Sequence, residues 1–433
     1  MAEDVKVPEG WRRVKLGDFS EIVKGITYKS SDYSESGEGA IFINLKCILK
    51  KGGFNKDGLK YYKGPIKESQ ILRKGDIIIA IVDLTRDGDI IGYPLRVPDF
   101  DNNKVVTMSM DVVKIEPNEQ IDKNFLYYRL CLDDVHNYIF SISAGSTVLH
   151  LDLNWLPQLE FSVPLSLPEQ RKIAEILKTV DNTIEKTEKI IEKYKRIKQG
   201  LMQELLTKGI DENGQIRSEE THKFKDSPLG RIPEEWEVVT TEQFCESVTD
   251  GTHDTPKPVD SGIPLITSKN IKENKLDMNE FYYISEKDAK IINKRSYVSD
   301  NTLLFSMIGT IGNMVAIGRK GFEFCVKNVG IFRLKNKNQL KWLYYSLIFY
   351  FPLNISNLLD GTTQNFISLG NLKKIQIPLP PLPEQKRIAS ILSQIDEAIE
   401  KEQKYKEKLE RIKRGLMEDL LSGKVRVNRL LEK

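Results

Sequence analysis

The sequence predicts an α+β fold built in tandem: two mixed α/β globular parts separated by a long antiparallel two-helix coiled coil, with pseudo-twofold symmetry. Three observations predict it. A segment beginning at Pro168 returns at Pro383, 215 residues later. Both copies carry apolar residues at helical spacing. Short β-rich runs bounded by turn residues precede each copy.

The repeat is dense. PEQRKIAEILKTVD answers PEQKRIASILSQID, so that Asp181 matches Asp396 and Ile184 matches Ile399. Further along, Arg196 to Lys198 match Arg411 to Lys413, and Gly200-Leu201-Met202 match Gly415-Leu416-Met417. A fainter echo precedes each copy: Pro8-Glu9-Gly10-Trp11 resembles Pro233-Glu234-Glu235-Trp236, and Phe125-Leu126-Tyr127-Tyr128 resembles Trp342-Leu343-Tyr344-Tyr345. Gly145-Ser146-Thr147 likewise answers Gly361-Thr362-Thr363. Divergent globular parts therefore alternate with constant helical ones, at 1–163, 164–210, 211–378 and 379–433.

Each constant segment opens at a proline, which favours a helix start, and closes at Gly209 or Gly423. Ile173, Leu177, Val180, Ile184, Thr187, Ile191 and Tyr194 step by four and three, as do Ile388, Leu392, Ile395 and Ile399, with Leu409, Ile412 and Leu416 resuming the pattern. Such steps make a narrow seam for another helix, and the other copy is the obvious partner. About 40 residues give rods on the order of 60 Å. A compact part of ~150 residues, with a radius of gyration near 15 Å, cannot return the chain along such a rod, so the rods are expected to be antiparallel.

The globular parts read as β-rich at Gly75 to Val82, Lys104 to Pro117, Asn301 to Gly309 and Phe322 to Lys335, with short helices around Phe125 to Leu132 and Trp342 to Phe349. The helices' aromatic residues read as core.

With 433 residues, 40% apolar and 29% charged, the chain is expected to fold as several units. Its apolar runs are too short for a membrane span, and MAEDVKVPEGW lacks the features of a secretory signal, which leads to a cytoplasmic expectation. Cys47, Cys131, Cys245 and Cys325 have no metal-ligand spacing and read as buried thiols. A net charge of +3 does not by itself argue for nucleic acid. Asp83, Asp87 and Asp89 read as a polar turn, Glu273 with Lys275 as a chance spacing, and His253 as no metal ligand, having no His or Cys nearby.

One resemblance is specific. Gly361-Thr362-Thr363-Gln364, Leu369, Leu372 and then IPLPPLPEQKRIASILSQID resemble the junction between target recognition domain and conserved helix in specificity subunits of type I restriction-modification enzymes. FKDSPLGRIPEEWE, from Phe224, resembles the start of that family's second recognition domain, and the first junction departs from the pattern at Val148 and Ser166. The resemblance implies that each recognition domain reads one half of a bipartite site in double-stranded DNA, while the helices set the gap and dock two modification (methyltransferase) subunits. It also implies S-adenosylmethionine on those subunits, ATP and Mg²⁺ on restriction (translocase and nuclease) subunits, and no cofactor, metal or catalysis on this chain. A stand-alone endonuclease and a coiled-coil scaffold that binds no DNA are the rival readings.

Candidate DNA-reading residues lie in loops near strand ends, where Lys, Asn, Thr or Tyr reach base edges and phosphates. The first part offers Tyr28, Lys29 and Ser30, then Asn44, Lys46 and Arg86. The second offers Thr252, His253, Thr255 and Lys257, then Ser268, Lys269 and Asn270.

Overall fold

The computed structural model describes residues 7–34, 37–50, 52–85, 87–100, 104–272, 275–318, 321–355, 358–359 and 366–431. The chain forms two compact units, one of residues 1–187 with 405–433 and the other of residues 188–404. Two long helices, Leu167–Thr207 and Leu382–Leu421, contribute to both.

In the first unit an antiparallel sheet runs in the order Ser20–Lys24, Val112–Pro117, Ile77–Ala80, Pro94–Arg96. Ile77, Ile79, Val113 and Ile115 point to one core, while Ile78, Ala80 and Val112 point to another. A strand covered on both faces needs a continuous apolar run, which accounts for the sequence IIIAIV. A second, mixed sheet joins Tyr33–Ser34, Lys60–Tyr62, Ala40–Ile43 and Val106–Met108, the last two in parallel. Trp11–Lys15 pairs with Glu160–Pro164.

The second unit repeats this plan. Ser247–Asp250, Val329–Arg333, Thr302–Ser306 and Met314–Ile317 form the antiparallel sheet, again with Leu303 and Phe305 on one core and Leu304 on the other. Tyr282–Ile284, Ile263–Thr267 and Cys325–Lys327 form the mixed one, and Glu237–Thr240 pairs with Gln376–Leu379. The stretches Lys104 to Pro117 and Phe322 to Lys335 each prove to be two strands. The second breaks at Asn328, whose φ of 55° no strand accommodates.

Within each unit the helical segments run antiparallel. In the first, Asp181 Oδ1 meets Lys413 Nζ at 2.7 Å and Glu169 meets Arg426 at 2.7 Å, so one index falls as the other rises. In the second, Lys198 Nζ meets Asp396 Oδ1 at 2.6 Å. Ile173, Leu177, Thr187, Ile191, Ile388, Leu392, Ile399 and Leu409 are buried in their units as the period predicts. Ile412 departs, being 42% exposed. The buried seam continues instead at Met417 and Leu421, while neighbouring Lys413, its side chain 30% exposed, reaches Asp181 with its amine.

Each helix start is clamped by the chain that leaves the other helix. Buried Glu384 accepts from Ile210 N at 2.8 Å, from the Arg217 guanidinium and from Trp236 Nε1 at 3.2 Å. Glu169 accepts from Arg426 Nε at 2.7 Å and Nη2 at 3.0 Å. A Cβ on Gly209, at φ 66°, would lie 2.2 Å from Glu384 Oε1 and 2.4 Å from Trp236 Cζ2, so only glycine closes the first helix there.

Candidate nucleic-acid interface

Gly25 and Gly251 start the candidate loops from equivalent backbone positions. Each glycine lies against its neighbouring strand, where a Cβ would come within 1.9 Å of Ser109 O or 2.4 Å of Val326 O. The next residues then bond alike: Ile26 N donates to Met108 O at 2.9 Å, and Thr252 N donates to Val326 O at 3.0 Å. Beyond these bridges the loops diverge.

In the first unit, Tyr28 packs half-buried on Tyr33 and Phe42, with ring centroids 5.2 and 5.1 Å away, and Phe42 stacks on Tyr62. Lys29 and Ser30 are exposed, the backbone N–H of Lys29 donating to Asp32 at 2.7 Å. The strand ending at Ile43 passes into a one-turn helix. Asn44 is buried there, its Oδ1 accepting from Lys46 N at 2.9 Å and its Nδ2 donating to Gly58 O at 2.8 Å. Its amide thus shapes the turn that exposes Lys46. Arg86 lies outside the described residues.

In the second unit the strand ending at Thr267 makes the same kind of turn. Asn270 is buried, accepting from Thr267 N at 2.9 Å and donating to Asp277 O and Glu280 O. It holds Ser268 and Lys269 at the rim of a groove of about 960 Å³, which Lys327 and Asn328 also line. Ser268 Oγ donates to Asn328 O at 2.6 Å, and Lys327 Nζ donates to Thr255 Oγ1. His253 Nδ1 faces Asn328 Oδ1 at 3.0 Å and its Nε2 donates to Asp250 Oδ2 at 2.7 Å. Asp250 also accepts from Arg295 Nη2 at 2.9 Å. Lys257 is exposed and is not part of the groove lining. Ser268, Lys269 and Asn270 thus meet His253 and Thr255 through Asn328 and Lys327. Those two residues, with Asp250 and Arg295, were not singled out from the sequence; the Lys-Asn-Val-Gly run inside a β-rich stretch was the available turn signal.

Asp83 occupies the polar turn expected of it. Its carboxylate accepts from Thr85 N at 2.8 Å, Ile90 N at 2.7 Å and Ile91 N at 3.1 Å. Burial pushes this carboxyl up, and those N–H groups with the Thr85 hydroxyl more than offset it, leaving it below the usual aspartate value. Among the described residues no group of His, Cys, Asp and Glu could hold a metal ion, and Glu273 lies outside them. Cys47, Cys245 and Cys325 are buried and Cys131 is partly so. Burial raises the Cys131 thiol to about 11 and the Cys245 thiol to about 12. No helix among the described residues is long and apolar enough to cross a membrane.

The profile of the type I restriction modification DNA specificity domain matches residues 8–196 and again 233–411. The chain is 30% identical to the type I restriction enzyme MjaVIII specificity subunit of Methanocaldococcus jannaschii, over 98% of this chain and 95% of that protein. It is 25% identical to the EcoBI specificity subunit of Escherichia coli, over 90% of this chain and 80% of that one. Among solved structures, the S subunit of a type I restriction-modification system from M. genitalium superposes with a TM-score of 0.62 at 16% identity, covering 97% of this chain and 99% of its own.

Proposed function

This chain belongs to the type I restriction modification DNA specificity family, a specificity subunit whose work is DNA recognition and subunit docking, and we propose that its two halves divide the reading. Each recognition part reads one half of a bipartite site. The loop after Gly25 and the turn around Lys46 read one half, and the loop after Gly251 with the turn around Lys269 read the other. One observation carries this: the loops start from equivalent backbone bridges, Ile26 to Met108 and Thr252 to Val326, yet carry different side chains. Two readers of different sequences need a shared scaffold and divergent tips.

In this reading Tyr28, Lys29, Ser30, Lys46, Thr252, Thr255, Lys257, Ser268 and Lys269 contact DNA, with Arg86 alongside. Asn44 and Asn270 present the lysines. The paired helices set the unread gap and dock two modification subunits, which hold S-adenosylmethionine. Restriction subunits supply ATP- and Mg²⁺-dependent chemistry, and this chain works in the cytoplasm as a reader without a catalytic site.

The test is genome-wide mapping of methylated bases in the host with and without this gene. A single motif of two short half-sites separated by a fixed gap should vanish with the gene. An unchanged methylation map, or loss of one contiguous motif, would overturn the assignment.

A further inference from the structure

We propose that Met110 is a specificity-determining residue of the first half-site, reading a thymine by contact with its C5-methyl group. The inference rests on reading the first recognition part as a DNA reader.

Met110 stands on the turn that ties together the two candidate loops of that part. Ile26 N donates to Met108 O at 2.9 Å, which anchors the loop carrying Tyr28 and Lys29. Ser109 N donates to Ile43 O at 2.8 Å, which anchors the strand that runs into Asn44 and Lys46. The turn then closes on itself, Val112 N donating to Ser109 O at 3.0 Å, and the carbonyl of Asp111 accepts from Ile81 N at 2.9 Å. From Val106 to Ile115 every residue is buried except two: Asp111 is partly buried and Met110 is 46% exposed. An isolated exposed methionine is ordinary. One set on a backbone-fixed turn between two loops is placed to touch what those loops touch.

The second unit supports this placement. Gly25 N donates to Val112 O at 3.1 Å and Gly251 N to Val329 O at 2.8 Å. Between these anchors and the bridges at Met108 and Val326, the first unit has Ser109-Met110-Asp111 where the second has Lys327-Asn328. Lys327 and Asn328 line the groove with Ser268, Lys269 and Asn270. The first unit's turn thus occupies the corresponding place, with a thioether in it.

Chemistry then selects the base. Tyr28, Lys29, Ser30 and Lys46 bring hydroxyls and ammonium groups, which bond to phosphates and to base acceptors. Met110 has no proton to donate, and its sulfur is a weak acceptor. Of the four bases only thymine shows a methyl in the major groove, and an unbranched thioether chain adapts its shape to one. Asp111, the one carboxylate on the turn, lies 3.4 Å from Ser109 Oγ and is an acceptor. It suits the amino donors of adenine and cytosine alike, so it does not choose between T·A and C·G pairs, whereas the methyl does.

The experiment uses the full chain reconstituted with its modification subunits. Each thymine of the first half-site is replaced in turn by deoxyuridine, which removes the methyl and keeps the base pairing. At one thymine the replacement should slow methylation by the parent complex about fourfold, as loss of one buried methyl implies. Met110→Ala should methylate the thymine and deoxyuridine duplexes equally at that position. Met110→Leu should keep most of the difference, and Met110→Gln, of similar size but polar, should lose it, with the second half-site unaltered in all three. General loosening of the turn would weaken every pair and would not follow side-chain polarity. A parent complex indifferent to every thymine methyl, a first half-site without thymine on either strand, or a Met110→Ala complex that keeps the parent's deoxyuridine effect at every position would overturn the proposal. Exchanging residues 13–159 for those of a relative with a different target separates the two levels. If the exchange changes the first half-site while Met110→Ala behaves as the parent, only this inference fails; if the exchange leaves that half-site unchanged, the DNA-reading assignment fails too.

Discussion

Lys198 Nζ and Asp396 Oδ1 meet at 2.6 Å in the second unit, and the same pairing returns in the first as Lys413 with Asp181 at 2.7 Å. Each aspartate also accepts from a tyrosine of its recognition part, Tyr345 at 2.7 Å and Tyr128 at 2.6 Å. Burial holds both phenols well above the ordinary tyrosine value, so both stay neutral donors. Asp396→Ala and Asp181→Ala should each cost about 2–3 kcal/mol, because a buried hydroxyl loses a charged acceptor, and should agree with each other within about 1 kcal/mol. Urea denaturation of the two variants checks this; a large cost in one unit and none in the other would contradict equivalent roles.

The clamps at the helix starts should not be equivalent. Glu384 satisfies Ile210 N, Arg217 and Trp236 Nε1, and both members of its ion pair are under a tenth exposed. Glu169 faces Arg426, whose side chain is 27% exposed, and Trp11 Nε1 has no partner among the described residues. Glu384→Gln removes the buried partner of the Arg217 guanidinium and leaves it only the half-exposed Glu235, 2.9 Å away, so it should cost about 3 kcal/mol, whereas Glu169→Gln should cost distinctly less. Thermal unfolding of both variants reads the order, and a reversed order would refute it.

A glycine inside the first long helix and one just past its end should respond oppositely to alanine. Gly209→Ala forces a Cβ into Glu384, Trp236 and Arg217 at a positive φ, at a cost of about 3 kcal/mol or more. Gly200 lies inside the helix with nothing within 4 Å of a Cβ, so Gly200→Ala should stabilise the isolated chain by about 0.5–1 kcal/mol. Equal effects of the two changes would contradict the placement of the helix end.

Asp83 gives a pH signature. Its folded-state pKa is lowered, so its contribution is present above the unfolded aspartate value and is lost as pH falls through the folded one. The stability difference between the parent chain and Asp83→Asn should therefore be full at pH 7 and shrink in acid. A difference that grows on acidification would contradict the hydrogen-bonded turn.

The duplication and the helical seam were legible because both are periodic along the chain. The seam's phase past Leu409 was not, since periodicity counts apolar residues and Ile412, though apolar, lies off the buried seam that continues at Met417. The clamping arginines follow Gly-x-Ile in Gly214 to Arg217 and Gly-x-Val in Gly423 to Arg426, a motif whose spacing differs from the 215-residue repeat, so a fixed offset passes over it. At the candidate interface the loops could be found from their position before equivalent strands. The chain from Asp250 through His253 to Asn328 could not, because it joins residues 75 apart through a strand break that composition reads as continuous.

In the proposed function the recognition parts are separate readers on constant helices. Its most direct test replaces residues 238–375 by the corresponding segment of a relative with a different target and maps methylation by the reconstituted complex. We expect the second half-site to change to the donor's, with the first half-site and the gap unaltered. A correctly assembled complex in which both half-sites change, or neither does, would contradict it.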